Sequence, residues 1–389
     1  MTFGVLALLV VAGLAGPLLS AIPRLGLPVI VGEVAAGVVL GRTGFGVLDA
    51  SQPTVAFLST VGFALLMFLV GTHLPLRDRA MLAILPRAVL GAAACLVLAG
   101  GAGLALARIG PDRPWVLAVV VATSSAAIAL PILQGYGTEL ATSATGQLAT
   151  AWITATDIAT VLLVPLVLST GAIPRVLLGA VLVSLAAAAI YLARHLAGEN
   201  PEFRRVRKLS HRLHWALDLR LGLASLFSLA YLAERFGTSI LVAGFAAGAV
   251  VALTGEPKRL TQQVSGVAEG FFVPIFFVTL GARLEFRDLF SSRRDLALFA
   301  ALVIASTGIH LAAALVLRMP AAVGLLASAS LGVPSAVVAL GLGQGVFSPG
   351  QAAAIVAALL ASIGISSLGG SLLARSAMPR VPASPAGAP

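Results

Sequence analysis

The sequence predicts an all-α polytopic membrane protein of thirteen transmembrane helices whose two halves are related by inverted topology. Three observations carry that prediction. Hydrophobic residues make up 59% of the 389 residues, charged residues only 10%, and mean hydropathy is +1.04; a soluble domain carries about 25% charged residues. Apolar runs long enough to cross a bilayer, about 17–25 residues each, follow one another almost without pause. A segment near the start of the chain also recurs, in register, in the second half.

The apolar runs lie near 3–22, 26–41, 54–73, 83–107, 114–133, 142–168, 174–196, 215–234, 238–254, 264–282, 296–317, 320–343 and 350–374. The opening "MTFGVLALLVVAGLAG" has no basic leading region, so it reads as a retained first span and not a cleaved signal. The net charge of +10 comes from Lys and Arg in the short connections, which fits the positive-inside rule and not a nucleic-acid-binding face. The single cysteine, Cys95, lies in an apolar run, which excludes a disulfide framework. The one long polar connection, "ARHLAGENPEFRRVRKLSHRLH" (193–214), reads as a cytoplasmic linker between halves. That places the N-terminus outside and the C-terminus inside, although Arg283, Arg287, Arg293 and Arg294 after the tenth run count against it. Residues 1–376 form one transmembrane domain in this reading, and 377–389 a short disordered tail. The excess of Arg over Lys and the abundance of Ala and Gly suggest a bacterial cell membrane.

The repeat is legible residue by residue. "RLGLPVIVGEVAAGVV" (24–39) aligns without gaps on "RFGTSILVAGFAAGAV" (235–250): Arg24, Gly26, Val31, Ala35, Ala36, Gly37 and Val39 recur as Arg235, Gly237, Val242, Ala246, Ala247, Gly248 and Val250. "FLVGTHLPLRD" (68–78) aligns on "VTLGARLEFRD" (278–288) at nearly the same offset. The second run matches the ninth, an odd separation, so the two copies cross the membrane in opposite senses. Inverted repeats of this kind build secondary transporters, with the binding site near the midplane at the repeat interface.

Among the acidic residues, Glu33 and Asp157 fall near the centre of an apolar run. Each costs roughly 2.5–3.5 kcal/mol to insert, so each requires a partner or a role. Thr150, Thr154 and Thr160 share a helical face with Asp157, and Thr156 sits beside it. A carboxylate with neighbouring hydroxyls offers oxygen ligands to a hard monovalent cation, or a base for a proton; the alternative is a structural Asp bonded to a neighbouring helix. Glu33, in a crowded Gly/Ala-rich run, reads equally as structural or functional.

The fifth run, "VVVATSSAAIALPIL", and the twelfth, "LLASASLGVPSAVVAL", each have a polar, small-residue centre and a proline. Interruptions at matched places in two halves point to discontinuous helices whose freed ends face an ion. On this reading Thr123, Ser124, Ser125, Ser330 and Ser335 line the path; close packing through small residues is the alternative. His310 is the histidine nearest mid-span, and reads as either a hydrogen-bonded structural residue or a proton relay. "GRTGFG" near 41 and "GLGQG" near 341 do not follow a strand of a βαβ unit, so nucleotide binding is unsupported. Neither a nucleophile–base constellation nor a metal-ligand motif emerges, so the chain is not read as an enzyme and no cofactor is expected.

"LGLPVIVGEVAAGVVLGRTGFGVL" resembles the opening signature of monovalent cation:proton antiporters of the second bacterial class, which include sodium/proton exchangers and potassium efflux proteins. "VGFALLMFLVGTHLPL", "GQLATAWITATDIATVLLVPL" and "FFVPIFFVTLGARLEF" resemble further family segments in the same order. The resemblance implies two five-helix inverted repeats with crossed discontinuous helices, and a homodimer. It implies a mobile core of spans 4–6 and 11–13, a dimerisation panel of spans 1–3 and 8–10, and span 7 with the polar loop as linker. Asp157 matches the aspartate that takes cation and proton in turn, so Na⁺ or K⁺ would bind there. The chain departs from the family pattern at Thr156, at His73, near His310 and at "SLGVPSAV", where an acidic or amide, an acidic, a basic and an Arg–Gly–Glu-like element are common.

The expected activity is exchange of Na⁺ or K⁺ for H⁺ by alternating access, electroneutral because one carboxylate carries either ion. A Na⁺-coupled symporter of an organic anion on a similar fold is the alternative, and a transport-inactive scaffold a third reading. The expected partners are a monovalent cation, a proton, the lipid bilayer and a second copy of the chain, with no nucleic acid.

Overall fold

A computed structural model of the chain describes residues 2–22, 28–72, 79–136, 138–168, 173–236, 238–254 and 258–377. Arg24, Gly26, His73, Gly237 and the tail beyond 377 lie outside the described residues. Among the described residues all regular structure is helical: with no water in the hydrocarbon to satisfy open backbone groups, a spanning segment closes its hydrogen bonds within itself.

The first apolar rod is α1 (Phe3–Gly13) running into α2 (Ala15–Ser20). The short α3 (Val29–Leu40) and long α4 (Pro53–Thr72) follow, then α5 (Arg79–Leu106). The fifth apolar run is split into α6 (Pro114–Ala122) and α7 (Ala126–Gly135). A short α8 (Thr138–Thr142) leads into α9 (Ala144–Leu168), which carries Asp157. Next come α10 (Ile173–Glu199), the polar α11 (Pro201–Arg212), α12 (Leu217–Arg235) and α13 (Ile240–Thr254). A π-turn at Ala268–Phe272 joins α14 (Lys258–Val267) to α15 (Val273–Arg283), where Pro274 falls in the first turn of α15. The chain continues through α16 (Phe286–Ser291) and α17 (Arg293–Val316). The twelfth run is split into α18 (Ala321–Ala327) and α19 (Gly332–Gly343), before α20 (Pro349–Ala377). Nine of the described helical stretches are long and apolar enough to cross a membrane, and α3 and α13 are shorter apolar helices.

Helices pack in two sets. α3 lies against α15, and α4 against α13; α12 packs on α13. α5 lies against α6, α9 and α17, while α20 lies against α17 and α18. In the first set four glycines sit directly on the backbone of the facing helix. Gly37 meets the Val278 carbonyl and Gly248 meets the Phe68 carbonyl. Gly281 meets the Val34 carbonyl and Gly71 meets the Phe245 carbonyl. A methyl group would not fit at any of the four positions. Apolar solvent gives helices no hydrophobic reason to associate, so backbone contact through small residues supplies the attraction.

The four contacts fall into two reciprocal pairs. In the alignment of the halves Gly37 corresponds to Gly248 and Val278 to Phe68; likewise Gly281 corresponds to Gly71 and Val34 to Phe245. Exchanging the halves converts each contact into its counterpart.

Candidate cation site at the crossing of two interrupted helices

The two interruptions arise from short polar residues that compete with the helical ladder. After the valine-rich α6, Thr123 (ψ 133°) and Ser125 (φ −128°, ψ 111°) are extended. The Thr123 hydroxyl turns back to the Val119 carbonyl at 2.7 Å, occupying one acceptor at the end of α6. In the twelfth run the helix stops at Ser328, which donates to the Leu325 carbonyl (2.8 Å), and resumes at Gly332 with Pro334 in its first turn.

Asp157 stands against the first interruption. It is 6% exposed, and its Oδ2 accepts a hydrogen bond from the backbone N–H of Ala126, the first residue of α7, at 3.4 Å. A carboxylate at a helix N-terminus meets unsatisfied N–H groups and the positive end of the helix dipole. Halves of both broken helices, α7 and α19, pack on α9. The carboxylate therefore occupies a place where backbone groups freed by the break replace solvent.

The threonines around Asp157 differ from one another. Thr156 donates to the Trp152 carbonyl and Thr160 to the Thr156 and Asp157 carbonyls, each at 3.0 Å, so both hydroxyl protons are spent on their own helix. Their lone pairs remain. The Thr154 hydroxyl is buried and has no hydrogen-bond partner among the described residues, and the Ser335 hydroxyl is in the same condition.

Ser124 and His310 connect the other side of the break. Ser124 Oγ lies 3.0 Å from His310 Nε2 and 2.8 Å from the Ala327 carbonyl at the end of α18. His310 Nδ1 lies 2.8 Å from the Ser306 carbonyl, one turn back along α17. His310 is fully buried, beside the Trp152 ring at 6.2 Å between centroids. One hydroxyl thus ties α17 and both broken helices together.

Two serines that the sequence reading did not single out complete the crossing. Ser362 on α20 accepts from the Ser330 N–H at 3.2 Å and lies 3.2 Å from the Ser330 hydroxyl, while its own proton goes to the Leu359 carbonyl at 2.7 Å. Ser366, one turn on, donates to the Leu326 carbonyl at 2.7 Å. They satisfy groups in the last turn of α18 and within the second break. Their spacing of four within a long apolar run was the available signal.

Glu33 lies apart from this crossing. Its helix α3 packs on α1, α2 and α15, and its side chain faces Gly16 of α2. It is 3% exposed, with Oε2 lacking a hydrogen-bond partner among the described residues.

A cavity of about 610 Å³ opens where the ends of α15 and α19 meet the α3–α4 loop, lined in part by Arg42, Asp49, Arg283 and Phe347. Arg283 donates to the Ala50 carbonyl at 3.1 Å, and Arg42 lies 3.6 Å from Glu285. The Asp49 carboxyl is held below the ordinary carboxylate range by the Ser51 hydroxyl and the Ser51 backbone N–H, so it keeps its negative charge among these arginines.

A transmembrane protein with a carboxylate set at the break of one of two interrupted helices has the architecture of a secondary ion transporter. Residues 6–375 match the family described as "Sodium/hydrogen exchanger, transmembrane", and the chain belongs to that family. It is 24% identical over 301 residues to "Putative Na(+)/H(+) antiporter YjbQ" of Bacillus subtilis (strain 168), covering 72% of this chain and 47% of that protein. The chain thus spans about half the length of that relative. It is 27% identical over 265 residues to "Na(+)/H(+)-K(+) antiporter GerN" of Bacillus cereus, covering 68% of this chain and 67% of that one. The fold matches the structure of the sodium proton antiporter MjNhaP1 from Methanocaldococcus jannaschii with a TM-score of 0.65, at 15% identity over 96% of this chain and 98% of that chain.

Proposed function

We propose that this protein exchanges Na⁺ or K⁺ for H⁺ across a bacterial cell membrane by alternating access, with Asp157 carrying cation and proton in turn. The observation that carries the reading is the Asp157 carboxylate, buried in α9 and facing the N–H of Ala126 at the break between α6 and α7. The helix N-terminus partly replaces the hydration that the carboxylate loses on burial. When a cation binds, the carboxylate supplies the charge, and Thr154 and Thr156 supply neutral oxygens. When it leaves, a proton neutralises the same group. Ser124, Ser125, Thr123, Ser330 and Ser335 border the path, and His310 holds the crossing together from α17. Glu33 has a structural role in this scheme, since its helix lies outside the crossing.

The arrangement of thirteen spans in two inverted five-helix repeats is supported by the reciprocal glycine contacts, in which Gly37 on Val278 is the counterpart of Gly248 on Phe68 and Gly281 on Val34 the counterpart of Gly71 on Phe245. Helices α5–α9 and α17–α20 would move as a core against a panel of α1–α4 and α12–α15, with α10 and α11 linking them. The panel would dimerise with that of a second copy. The cavity beside Arg283 and Phe347 lies on the seam between the two groups, where such a movement would open and close access. The basic connection 193–214 would lie on the cytoplasmic side, with the N-terminus outside and the C-terminus inside.

The test is a proteoliposome assay of internal pH on addition of Na⁺, K⁺ or Li⁺ separately, for the wild type and Asp157→Asn. Cation-evoked pH change without any organic solute, lost in the variant, is the expected result. Uptake of an organic anion with no pH response would overturn the assignment.

A further inference from the structure

Helix α11 does not resemble its neighbours. Asn200 caps its start, its side chain accepting from the Glu202 N–H at 2.8 Å, and Pro201 occupies the first turn. Over Pro201–Arg212 the sequence "PEFRRVRKLSHR" places Phe203, Val206, Leu209 and, just beyond, Leu213 at spacings of three and four, which is one helical stripe. Arg204, Arg205, Lys208 and Arg212 occupy the remaining circumference and are exposed.

Beyond Phe203, which is half-buried, the stripe is not covered by the chain itself. Val206, Leu209, Leu213 and Trp215 are between 44% and 51% exposed. The helix is nevertheless held in one orientation. Arg207 Nε lies 2.9 Å from Asp218 Oδ1 on α12, and the Leu217 N–H donates to Ser210 Oγ at 3.1 Å. His214 (φ 57°) and Ala216 (φ 50°) form the sharp turn between the two helices. Apolar residues are thus presented on a fixed helix, with positive charges beside them.

Position in the fold selects the occupant. A single residue, Asn200, separates α11 from α10, whose apolar stretch Val176–Glu199 is long enough to span a bilayer. Only four residues separate it from α12. A polar helix tethered so tightly to a spanning helix lies at the bilayer surface. There an apolar stripe enters the acyl-chain boundary, long basic side chains reach up to the headgroups, and Trp sits at the interface.

We propose that α11 is an interfacial helix that binds anionic phospholipids: Val206, Leu209, Leu213 and Trp215 enter the leaflet, and Arg204, Arg205, Lys208 and Arg212 hold the phosphate-bearing headgroups. Charge complementarity carries the choice of lipid, because four exposed cations on three turns of helix attract an anionic surface and gain nothing from a zwitterionic one. The inference rests on membrane insertion alone and is independent of the ion exchanged.

The experiment uses the full chain carrying Trp115→Phe, which leaves Trp215 as the exposed reporter beside the fully buried Trp152. It is reconstituted in mixed phosphatidylcholine–phosphatidylglycerol vesicles in which one lipid or the other carries brominated acyl chains. Brominated phosphatidylglycerol should quench Trp215 at least about twofold more than brominated phosphatidylcholine at equal mole fraction. The variant R204Q/R205Q/K208Q/R212Q should lose that preference, and V206S/L209S/L213S should lower quenching by both lipids. Equal quenching by the two lipids in the parent protein, or a preference that survives loss of the four charges, overturns the proposal. So does protection of Trp215 from both lipids, which would assign the face to a second copy or to a soluble acidic partner.

Discussion

Ser124 Oγ lies within hydrogen-bond distance of two groups that compete for its single proton, His310 Nε2 at 3.0 Å and the Ala327 carbonyl at 2.8 Å. His310 Nδ1 faces the Ser306 carbonyl, which can only accept, and this contact favours the tautomer with its hydrogen on Nδ1. Neutral His310 therefore offers a lone pair at Nε2, and Ser124 must choose between His310 and Ala327. Protonated His310 donates to Ser124 Oγ instead, and the hydroxyl proton passes wholly to Ala327. The charge on α17 is thereby linked to a bond at the end of α18. The expected outcome is non-additivity: Ser124→Ala and His310→Ala should each cost about 1–3 kcal/mol, and the double variant less than their sum by at least about 0.5 kcal/mol. Thermal or denaturant unfolding of the four purified proteins reads this directly. Strict additivity would separate the two residues.

Asp157→Asn is the plainest test of the site. The amide keeps the shape of the side chain and its oxygen can still accept from the Ala126 N–H, while the charge and the exchangeable proton are lost. Cation-evoked pH change should fall to the level of protein-free vesicles. The melting temperature should stay unchanged or rise, because a buried charge is removed without opening a cavity. Exchange near the wild-type rate would remove Asp157 from the proposed cycle.

Thr154 separates a ligand from a packing residue. Its hydroxyl is buried without a hydrogen-bond partner among the described residues, a condition that costs stability unless something else uses the oxygen. Thr154→Val keeps the volume and should leave stability equal or improved, while raising the cation KM about tenfold, the loss of roughly 1.4 kcal/mol of binding. Concentration dependence of exchange in proteoliposomes gives the KM. An unchanged KM would leave Thr154 as a packing residue.

What the sequence made legible followed from strong physical constraints. Continuous apolar runs and a Ser-rich centre in the fifth and twelfth of them anticipated the helices and the two interruptions, because hydrocarbon excludes unsatisfied backbone and short hydroxyl residues compete for it. Glu33 and Asp157 looked alike as buried carboxylates in apolar runs. The threonines around Asp157 were the one local difference between them; the structure places the two carboxylates in different surroundings, Asp157 at the α7 N-terminus and Glu33 beside Gly16. Hydroxyls on one face of α9 suggested a ring around Asp157; instead the bond to the carboxylate comes from a backbone N–H across the break, while Thr156 and Thr160 serve their own helix. Ser362 and Ser366 escaped notice because serine in a spanning helix ordinarily bonds its own preceding turn, and only the packing of α20 on the second break gives these two a further task.

The reciprocal glycine contacts predict paired responses. Gly37→Val and Gly248→Val should destabilise by similar amounts, several kcal/mol each, since each places a side chain against a facing carbonyl at equivalent points. Gly101→Ala on α5 is the control: nothing lies within 4 Å of a methyl group there, so the change should be neutral or stabilising by up to about 1 kcal/mol. Melting temperatures of the three variants in one detergent make the comparison. A large difference between Gly37→Val and Gly248→Val would argue against equivalence of the two positions.

Competition at one carboxylate would fix both the pH dependence and the charge balance. If Asp157 binds one proton or one monovalent cation and never both, protons act as competitive inhibitors of cation binding. The apparent KM should then rise about tenfold per unit fall in pH once the protonated form dominates, with the maximal rate little changed. The same exclusivity would make the cycle electroneutral, because one positive charge would cross in each direction. A second proton per cycle needs another titrating group coupled to the cation, and Thr156, beside Asp157, does not supply one. His310 is the remaining candidate, and its ring is sealed between Ser124, Ser306 and Trp152. A contribution from it would require Nε2 to take up and release a proton in each cycle, which the one-carboxylate scheme does not include. Exchange on a solid-supported membrane should therefore give no cation-evoked current near neutral pH, for the wild type and for His310→Ala alike. A robust current at neutral pH that survives loss of His310 would refute the one-carboxylate cycle while leaving Asp157 as the cation site.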